Sequence, residues 1–182
     1  MTDNTLRLFF ALPCSTEQAS ALCAWRDAQG FEGRPVAQAN LHLTLAFLGA
    51  QPTDLLDELK QLASGIEGPP FELTLDLLIT LGKGFVCLRP SQVPPALAWL
   101  AATLAERLAA QGIILDARPF LPHLTLLRQA PERVNGAAPA FSWMVDRFVL
   151  YQSSNTPDGV RYDELGNWPL DGSLLHASAV PT

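Results

Sequence analysis

The tetrapeptide His-Leu-Thr-Leu occurs twice in this chain of 182 residues, at 42–45 and at 123–126. The chain has only 3 histidines, and two of them begin the two copies of this tetrapeptide. Arg-Pro also stands several residues before each copy, at 34–35 and at 118–119. A repeat of this extent predicts an internal duplication and a fold with two similar halves, each carrying one copy.

Each copy is predicted to lie in a β-strand. Residues i and i+2 of a strand point to the same face, so His42 projects together with Thr44 while the leucines enter the opposite face. His123 and Thr125 form the same kind of pair in the second copy. If a pseudo-two-fold axis relates the halves, the two pairs meet across a groove with room for a phosphate group.

Hydrophobic spacing and turn residues predict the rest of the fold. Ser15 and Gln18 resemble a capping box for a helix that stops at Gly30, and Pro94-Pro95 opens the most regular helix, which ends before Gly112. The predicted strands are 5–12, 42–48, 71–80, 85–88, 123–127, 141–151 and 160–165, a further helix covers 55–62, and the polar segment 153–159 is predicted to be a flexible loop.

These elements predict an α+β fold with two pseudo-symmetric lobes, each an antiparallel sheet backed by helices, around a central active-site cleft. Since no linker separates two independent units, residues 1–182 are expected to form a single bilobal domain with interleaved lobes. We expect His42 and His123 to lie on facing strands of the cleft.

Composition excludes several classes of protein. No apolar run approaches the roughly 20 residues that span a bilayer, and no basic N-terminal segment indicates secretion. We therefore expect no membrane contact and a cytoplasmic location. The 3 cysteines show no metal-ligand or disulfide spacing, which fits reduced thiols, and the protein is expected to be a monomer. A net charge of −6 disfavours extended nucleic-acid binding, so any phosphate is expected to be bound locally.

Paired histidines suit acid and base chemistry. The ordinary imidazole pKa near 6.5 leaves both protonation states accessible at neutral pH, and threonine hydroxyls can donate to phosphate oxygens. One isolated His-x-Thr segment is most simply an ordinary strand, but its repetition favours function. A metal site would need ligands from unrelated segments, because no carboxylate or cysteine stands at ligand spacing, so neither metal nor cofactor is expected. His176 lacks the threonine and is interpreted as an exposed bystander.

The paired motifs resemble the two-histidine (2H) phosphoesterase superfamily. The fuller pattern is similar to its bacterial branch, the RNA 2′,3′-cyclic phosphodiesterases, also called 2′-5′ RNA ligases. The similarity spans nearly the whole chain and rests on the stretches 7–11, 34–36, 40–49, 118–128 and 150–154.

The resemblance implies an enzyme that opens the 2′,3′-cyclic phosphate of RNA ends or small cyclic nucleotides to a 2′-phosphate, with weak 2′-5′ ligase activity. It implies His42 as the acid and His123 as the base, and Thr44, Thr125 and Arg128 as substrate-binding residues. Two alternatives stay open: a phosphodiesterase of another cyclic nucleotide or of 2′-5′ oligonucleotides, and a nonenzymatic protein that binds RNA ends or nucleotides.

Arg128 requires a departure from a regular strand. It follows His123 by five residues, and an odd separation places two side chains on opposite faces. Arg128 can therefore reach the groove only if the strand bulges or ends before it.

Overall fold

The computed structural model describes residues 4–172. Over this range the chain begins with a strand and helix and continues through eight further strands and two further helices. The strands are β1 (Thr5–Pro13), β2 (Arg34–Pro35), β3 (His42–Pro52), β4 (Phe71–Leu81), β5 (Phe85–Arg89), β6 (Leu124–Arg128), β7 (Gly136–Val145), β8 (Arg147–Thr156) and β9 (Gly159–Pro169); the helices are α1 (Thr16–Ala28), α2 (Leu56–Ser64) and α3 (Pro95–Ala110).

All nine of these strands belong to one antiparallel sheet, in the order β7-β4-β5-β6-β3-β1-β8-β9, with β2 paired to β6. The centre of the sheet is its narrowest join, since a single residue pair, Leu43 with Leu124, connects β3 to β6. The sheet therefore has two halves, β3-β1-β8-β9 and β7-β4-β5-β6, and this α+β architecture confirms the predicted fold class.

The helices interleave the two halves. Helix α1 follows a strand of the first half but contacts β7 of the second, whereas α3 follows a strand of the second half and contacts β3 of the first. The predicted caps are present: the Ser15 side chain accepts a hydrogen bond from the Gln18 backbone at 3.2 Å, and α3 begins at Pro95. Within residues 4–172, no helix is long and apolar enough to cross a membrane.

Two predictions about the C-terminal third are wrong. The segment 141–151 is not one strand: Asp146 separates β7 from β8, which pair with β4 and β1 in different halves. The segment 153–159 is not a flexible loop either, because β8 extends to Thr156 and β9 begins at Gly159, so the two form a tight hairpin. The continuous pairing of β8 with β9 supplies backbone partners to this polar segment.

The two faces of the central strands differ in burial. Leu43 and Leu124 are fully buried in the main core, and the residues on either side of each are only half-buried. The face of the sheet that carries Leu43 and Leu124 is the core face. We call the opposite face, which carries the histidines and threonines, the cleft face. His176 lies outside the described residues.

Candidate active site

The Leu43–Leu124 pair brings the two His-Leu-Thr-Leu segments side by side. Extending this antiparallel register by one residue in each direction sets His42 opposite Thr125 and His123 opposite Thr44. Opposed residues of an antiparallel pair share a face, so all four polar side chains lie together on the cleft face. The pseudo-two-fold axis passes between the two leucines, with His42 at the start of β3 and His123 immediately before β6.

His42 is held by hydrogen bonds at both ring nitrogens. Its Nδ1 lies 2.7 Å from the backbone oxygen of Asn40, and its Nε2 lies 2.9 Å from Oγ1 of Thr44. A carbonyl oxygen only accepts, so Nδ1 carries the proton and donates. In the neutral ring Nε2 is then the acceptor, and the Thr44 hydroxyl donates to it.

Aromatic rings surround His42 on the first half of the sheet. The ring centroid of Phe9 lies 4.9 Å from that of the imidazole, Tyr162 contacts it edge-on at 5.2 Å, and Tyr151 lies at 6.4 Å. The pKa of His42 is lowered from 6.5 to about 4, chiefly because the ring is buried here. The hydrogen bond to the Asn40 carbonyl opposes this shift, and repulsion from Arg128 and from a protonated His123 contributes to it. His42 is therefore neutral at pH 7.

His123 has the same backbone anchor but a more open setting. Its Nδ1 lies 2.7 Å from the backbone oxygen of Leu121, two residues earlier, as in the first copy. Within residues 4–172, neither a threonine hydroxyl nor an aromatic ring contacts its imidazole. Thr125 instead lies with Oγ1 3.6 Å from Sγ of Cys87 on β5. His123 immediately precedes β6 rather than lying within the strand.

A bulge in β6 turns Arg128 toward the cleft face. Cys87 pairs with Thr125 but Val86 pairs with Leu127, which leaves Leu126 without a partner on β5. The extra residue reverses the alternation of faces after it, so Arg128 shares a face with Thr125. The bulge that the sequence required for Arg128 is present.

The first copy of the motif has the same irregularity. On β1, Ala11 pairs with Thr44 and Phe10 pairs with Ala46, so Leu45 is unpaired. Phe47, five residues after His42, consequently occupies the position in the first half that Arg128 occupies in the second. Its ring is 54% exposed on the cleft side, and the Arg7 guanidinium lies 5.7 Å from the ring centroid.

Neighbouring segments hold the β6 bulge in place. The carbonyl of Leu126 accepts hydrogen bonds from the Val36 backbone at 2.9 Å and from the buried side chain of Arg26 at 3.4 Å. A Cβ atom on Gly33 would lie 2.9 Å from the carbonyl oxygen of Arg128, and one on Gly84 would lie 2.7 Å from the backbone nitrogen of Ala130. Tight backbone packing therefore fixes the direction in which Arg128 leaves the strand.

Arg128 is a cation without an acidic partner among the described residues. No carboxylate there forms an ion pair with it, its Nε is buried without a hydrogen bond, and one guanidinium nitrogen lies 3.4 Å from the Tyr162 hydroxyl. Burying an unpaired charge is costly unless a ligand compensates it. The arrangement is suited to an anion.

A cavity of about 200 Å³ lies on the cleft face. It is lined by Phe9, Val36, Asn40, His42, Thr44, Phe47, Thr125, Arg128, Ser153 and Tyr162. Four of the five side chains predicted for the site line this cavity. His123, the fifth, does not, although its register position lies beside Thr44.

Sequence reasoning missed four residues that surround His42: Phe9, Asn40, Tyr151 and Tyr162. The rings come from strands far away in sequence, so no local pattern reveals them. Asn40 had a detectable position, since it stands two residues before the histidine, as Leu121 does in the second copy. The two Arg-Pro pairs are not equivalent: Arg34-Pro35 forms β2, whereas Arg118 lies in no strand and binds the carboxylate of Asp116.

Within residues 4–172, no group of three or more His, Cys, Asp or Glu side chains is arranged to hold a metal ion.

The chain matches the family model of the 2′-5′ RNA ligase superfamily over residues 13–157. It is 42% identical over 170 residues to the RNA 2′,3′-cyclic phosphodiesterase of Escherichia coli, covering 90% of this chain and 96% of that one. It is 30% identical to the protein of the same name from Thermus thermophilus, with 92% and 91% covered.

Solved structures agree with these relatives. The crystal structure of E. coli LigT complexed with 3′-AMP superposes with a TM-score of 0.85 at 41% identity, covering 91% of this chain and 98% of that one. The complex of E. coli LigT with phosphate gives a TM-score of 0.79 at 38% identity, with 93% and 99% covered.

Proposed function

Because the chain belongs to the 2′-5′ RNA ligase superfamily, we propose that it is an RNA 2′,3′-cyclic phosphodiesterase that opens cyclic phosphate ends to 2′-phosphates. One observation carries the proposal. Two His-Thr pairs flank the Leu43–Leu124 pair on a single face, beside an arginine without an acidic partner in the described range, and this supports the proposal. The names of the relatives, at up to 42% identity, support the substrate class.

In the proposed reaction, water attacks phosphorus and the bond from phosphorus to the 3′ oxygen breaks. One imidazole takes a proton from the water while the other gives a proton to the departing 3′ oxygen, which leaves a 2′-phosphate. Thr44, Thr125 and Arg128 donate to the non-bridging oxygens, where negative charge increases in the transition state. Turnover resets when the two imidazoles exchange their protons with solvent.

The order of the two roles depends on protonation. The resemblance implies His42 as the acid, but His42 is neutral at pH 7 in the free protein because its pKa is lowered to about 4. The free-protein value alone favours the opposite order. We propose that the acid role is restored by substrate, since a phosphate anion beside His42 stabilises its charged form and raises its pKa.

The function is tested with a panel of 2′,3′-cyclic mononucleotides and cyclic-ended oligonucleotides, with phosphorus NMR of the products. We expect 2′-phosphates, with undiminished rates after exhaustive chelation. Binding without turnover would support the nonenzymatic alternative, and turnover of other cyclic nucleotides or 2′-5′ linkages alone would support another phosphodiesterase. Loss on chelation that a divalent ion restores would favour a metal mechanism.

The cellular compartment, the oligomeric state and the length of RNA that is recognised are also proposals. Cys14, Cys23 and Cys87 are free thiols, which supports a reducing compartment such as the cytoplasm. The site is assembled from one chain, which supports activity as a monomer. The net charge of −6 supports recognition of an RNA end rather than of a long stretch of RNA.

A further inference from the structure

A second arginine lies on the cleft face of the second half. On β5, Leu88 pairs with Leu124 and Cys87 pairs with Thr125, so the same register sets Arg89 opposite His123. Cys87 contacts the Thr125 hydroxyl, and Arg89, two residues further, shares its face. Cross-strand neighbours of this kind have Cβ atoms about 5 Å apart.

Arg89, like Arg128, has no acidic partner in the part of the chain that the structure describes. Its side chain makes no hydrogen bond or ion pair with any residue in the range 4–172, and its Nε is buried without a partner. The corresponding position in the first half, opposite His42 on β1, is Pro13. This cation is therefore a feature of the second half alone, and its position indicates an anion on the His123 side of the cavity.

Apolar side chains continue the cleft face beyond Arg89. Leu77, Ile79 and Leu81 of β4 pair with Arg89, Cys87 and Phe85, respectively, and are half-buried, whereas Leu78 between them enters the main core. Phe85 is 43% exposed. Within residues 4–172 none of Leu77, Ile79, Leu81 and Phe85, which we call the β4–β5 strip, packs against the main core.

We propose that Arg89 and the β4–β5 strip form a subsite for the nucleotide on the 5′ side of the cyclic phosphate. Arg89 binds the phosphate that joins this nucleotide to the terminal one, and the strip accepts its base. A cation next to an apolar surface matches the chemistry of one nucleotide, with an anionic backbone and a flat ring. The inference rests on the proposed function, and it makes the preferred substrate an oligonucleotide rather than a mononucleotide.

The test compares three substrates: a 2′,3′-cyclic mononucleotide with a free 5′-hydroxyl, the same compound with a 5′-phosphate, and a cyclic-ended dinucleotide. For Arg89→Gln we expect the ratio of kcat/KM for the 5′-phosphorylated compound to that for the 5′-hydroxyl compound to fall about tenfold, the effect of losing one charge-assisted contact. Arg161→Gln is the matched control, since Arg161 binds Asp163 on β9 and its ratio should not change.

A second variant separates the base contact from the phosphate contact. Ile79→Thr keeps a β-branched side chain on the strand but makes it smaller and more polar. We expect it to lower the preference for the dinucleotide over the 5′-phosphorylated mononucleotide about threefold, while Arg89→Gln leaves this second preference less affected.

The outcomes separate a failure of the proposed subsite from a failure of the proposed function. If wild-type protein hydrolyses none of the three substrates, the proposed function itself is wrong. If it hydrolyses them and Arg89→Gln affects all three equally or not at all, the subsite is wrong while the function stands.

Discussion

The two halves of the site share a backbone frame but differ in the surroundings of their histidines. In both, Nδ1 lies 2.7 Å from a backbone oxygen two residues earlier, and the strand bulges after the threonine. His42 is enclosed by aromatic rings and bonded to Thr44, whereas His123 is open and Thr125 contacts Cys87. The repeated motif thus has the same backbone geometry in both halves, and residues from neighbouring strands give each half different chemistry.

The largest expected effects come from removing either imidazole. His42→Ala and His123→Ala should each lower kcat about a thousandfold, within the range of general acid or base catalysis. Both side chains are only half-buried, so melting temperatures should change little. Steady-state kinetics and calorimetry check this, with His176→Ala as the control that retains wild-type turnover.

A substrate with an activated leaving group decides which histidine is the acid. Because such a group departs without protonation, it should partly restore turnover to His42→Ala and not to His123→Ala, if His42 is the acid. The single-turnover rate on matched activated and ordinary substrates is the measurement. Restoration of His123→Ala alone would reverse the order and agree with the low pKa of His42 in the free protein.

Variants of Arg128 and Phe47 test whether the corresponding positions of the two halves contribute unequally to activity. Arg128→Gln removes the unpaired guanidinium and should lower kcat/KM about a hundredfold, since a charge-assisted contact to phosphate strengthens in the transition state. Phe47→Leu keeps an apolar side chain at the corresponding position and should cost about threefold or less. Equal losses in the two variants would contradict the comparison.

Much of this site is predictable because the duplicated motif carries its own geometry. The repeat identifies His42, Thr44, His123 and Thr125 and their shared face, and the parity of Arg128 requires the bulge that β6 contains. A bulge adds one residue to a strand and so reverses the alternation of faces after it. A site residue that lies an odd number of positions after the motif histidine therefore indicates a bulge between the two.

The remainder depends on contacts between distant segments. Tyr162 reaches His42 from β9, and Arg26 reaches the β6 bulge from α1. The break at Asp146 was missed because no glycine or proline interrupts the apolar run around it. The pairing of β8 with β9 likewise overrides the loop-like composition of 153–159. Local propensity does not specify which strands become neighbours.

The pKa of His42 gives a prediction about pH. In the unfolded chain its value is near 6.5 and in the folded protein it is about 4, so the unfolded state binds the proton more tightly. The contribution of neutral His42 to the free energy of unfolding is therefore fully present above pH 6.5. It is lost as the pH falls through 4, by about 3 kcal/mol in total.

Denaturant unfolding between pH 7 and 4 measures this loss, and His42→Gln should weaken the dependence. NMR titration of the ring protons should find the His42 pKa near 4 in free protein and higher with inorganic phosphate bound. A pKa that stays near 4 with phosphate bound would remove the support for His42 as the acid.

Cys87 provides the smallest expected effect and the most direct exchange between the halves. It occupies the position opposite Thr125 that Ala11 occupies opposite Thr44, and both are fully buried. Cys87→Ala therefore gives the second half the side chain of the first. Burial raises the pKa of the Cys87 thiol to about 11, so it remains protonated and offers Thr125 only a weak hydrogen bond.

We expect Cys87→Ala to change kcat less than threefold and to cost about 1 kcal/mol of stability through the small space left by the sulfur. Thr125→Val is the comparison, since it removes the hydroxyl itself and should lower kcat about tenfold. If Cys87→Ala lost as much activity as Thr125→Val, the thiol would be needed to orient the hydroxyl. The two halves would then differ in how each threonine is positioned, and not only in how each histidine is enclosed.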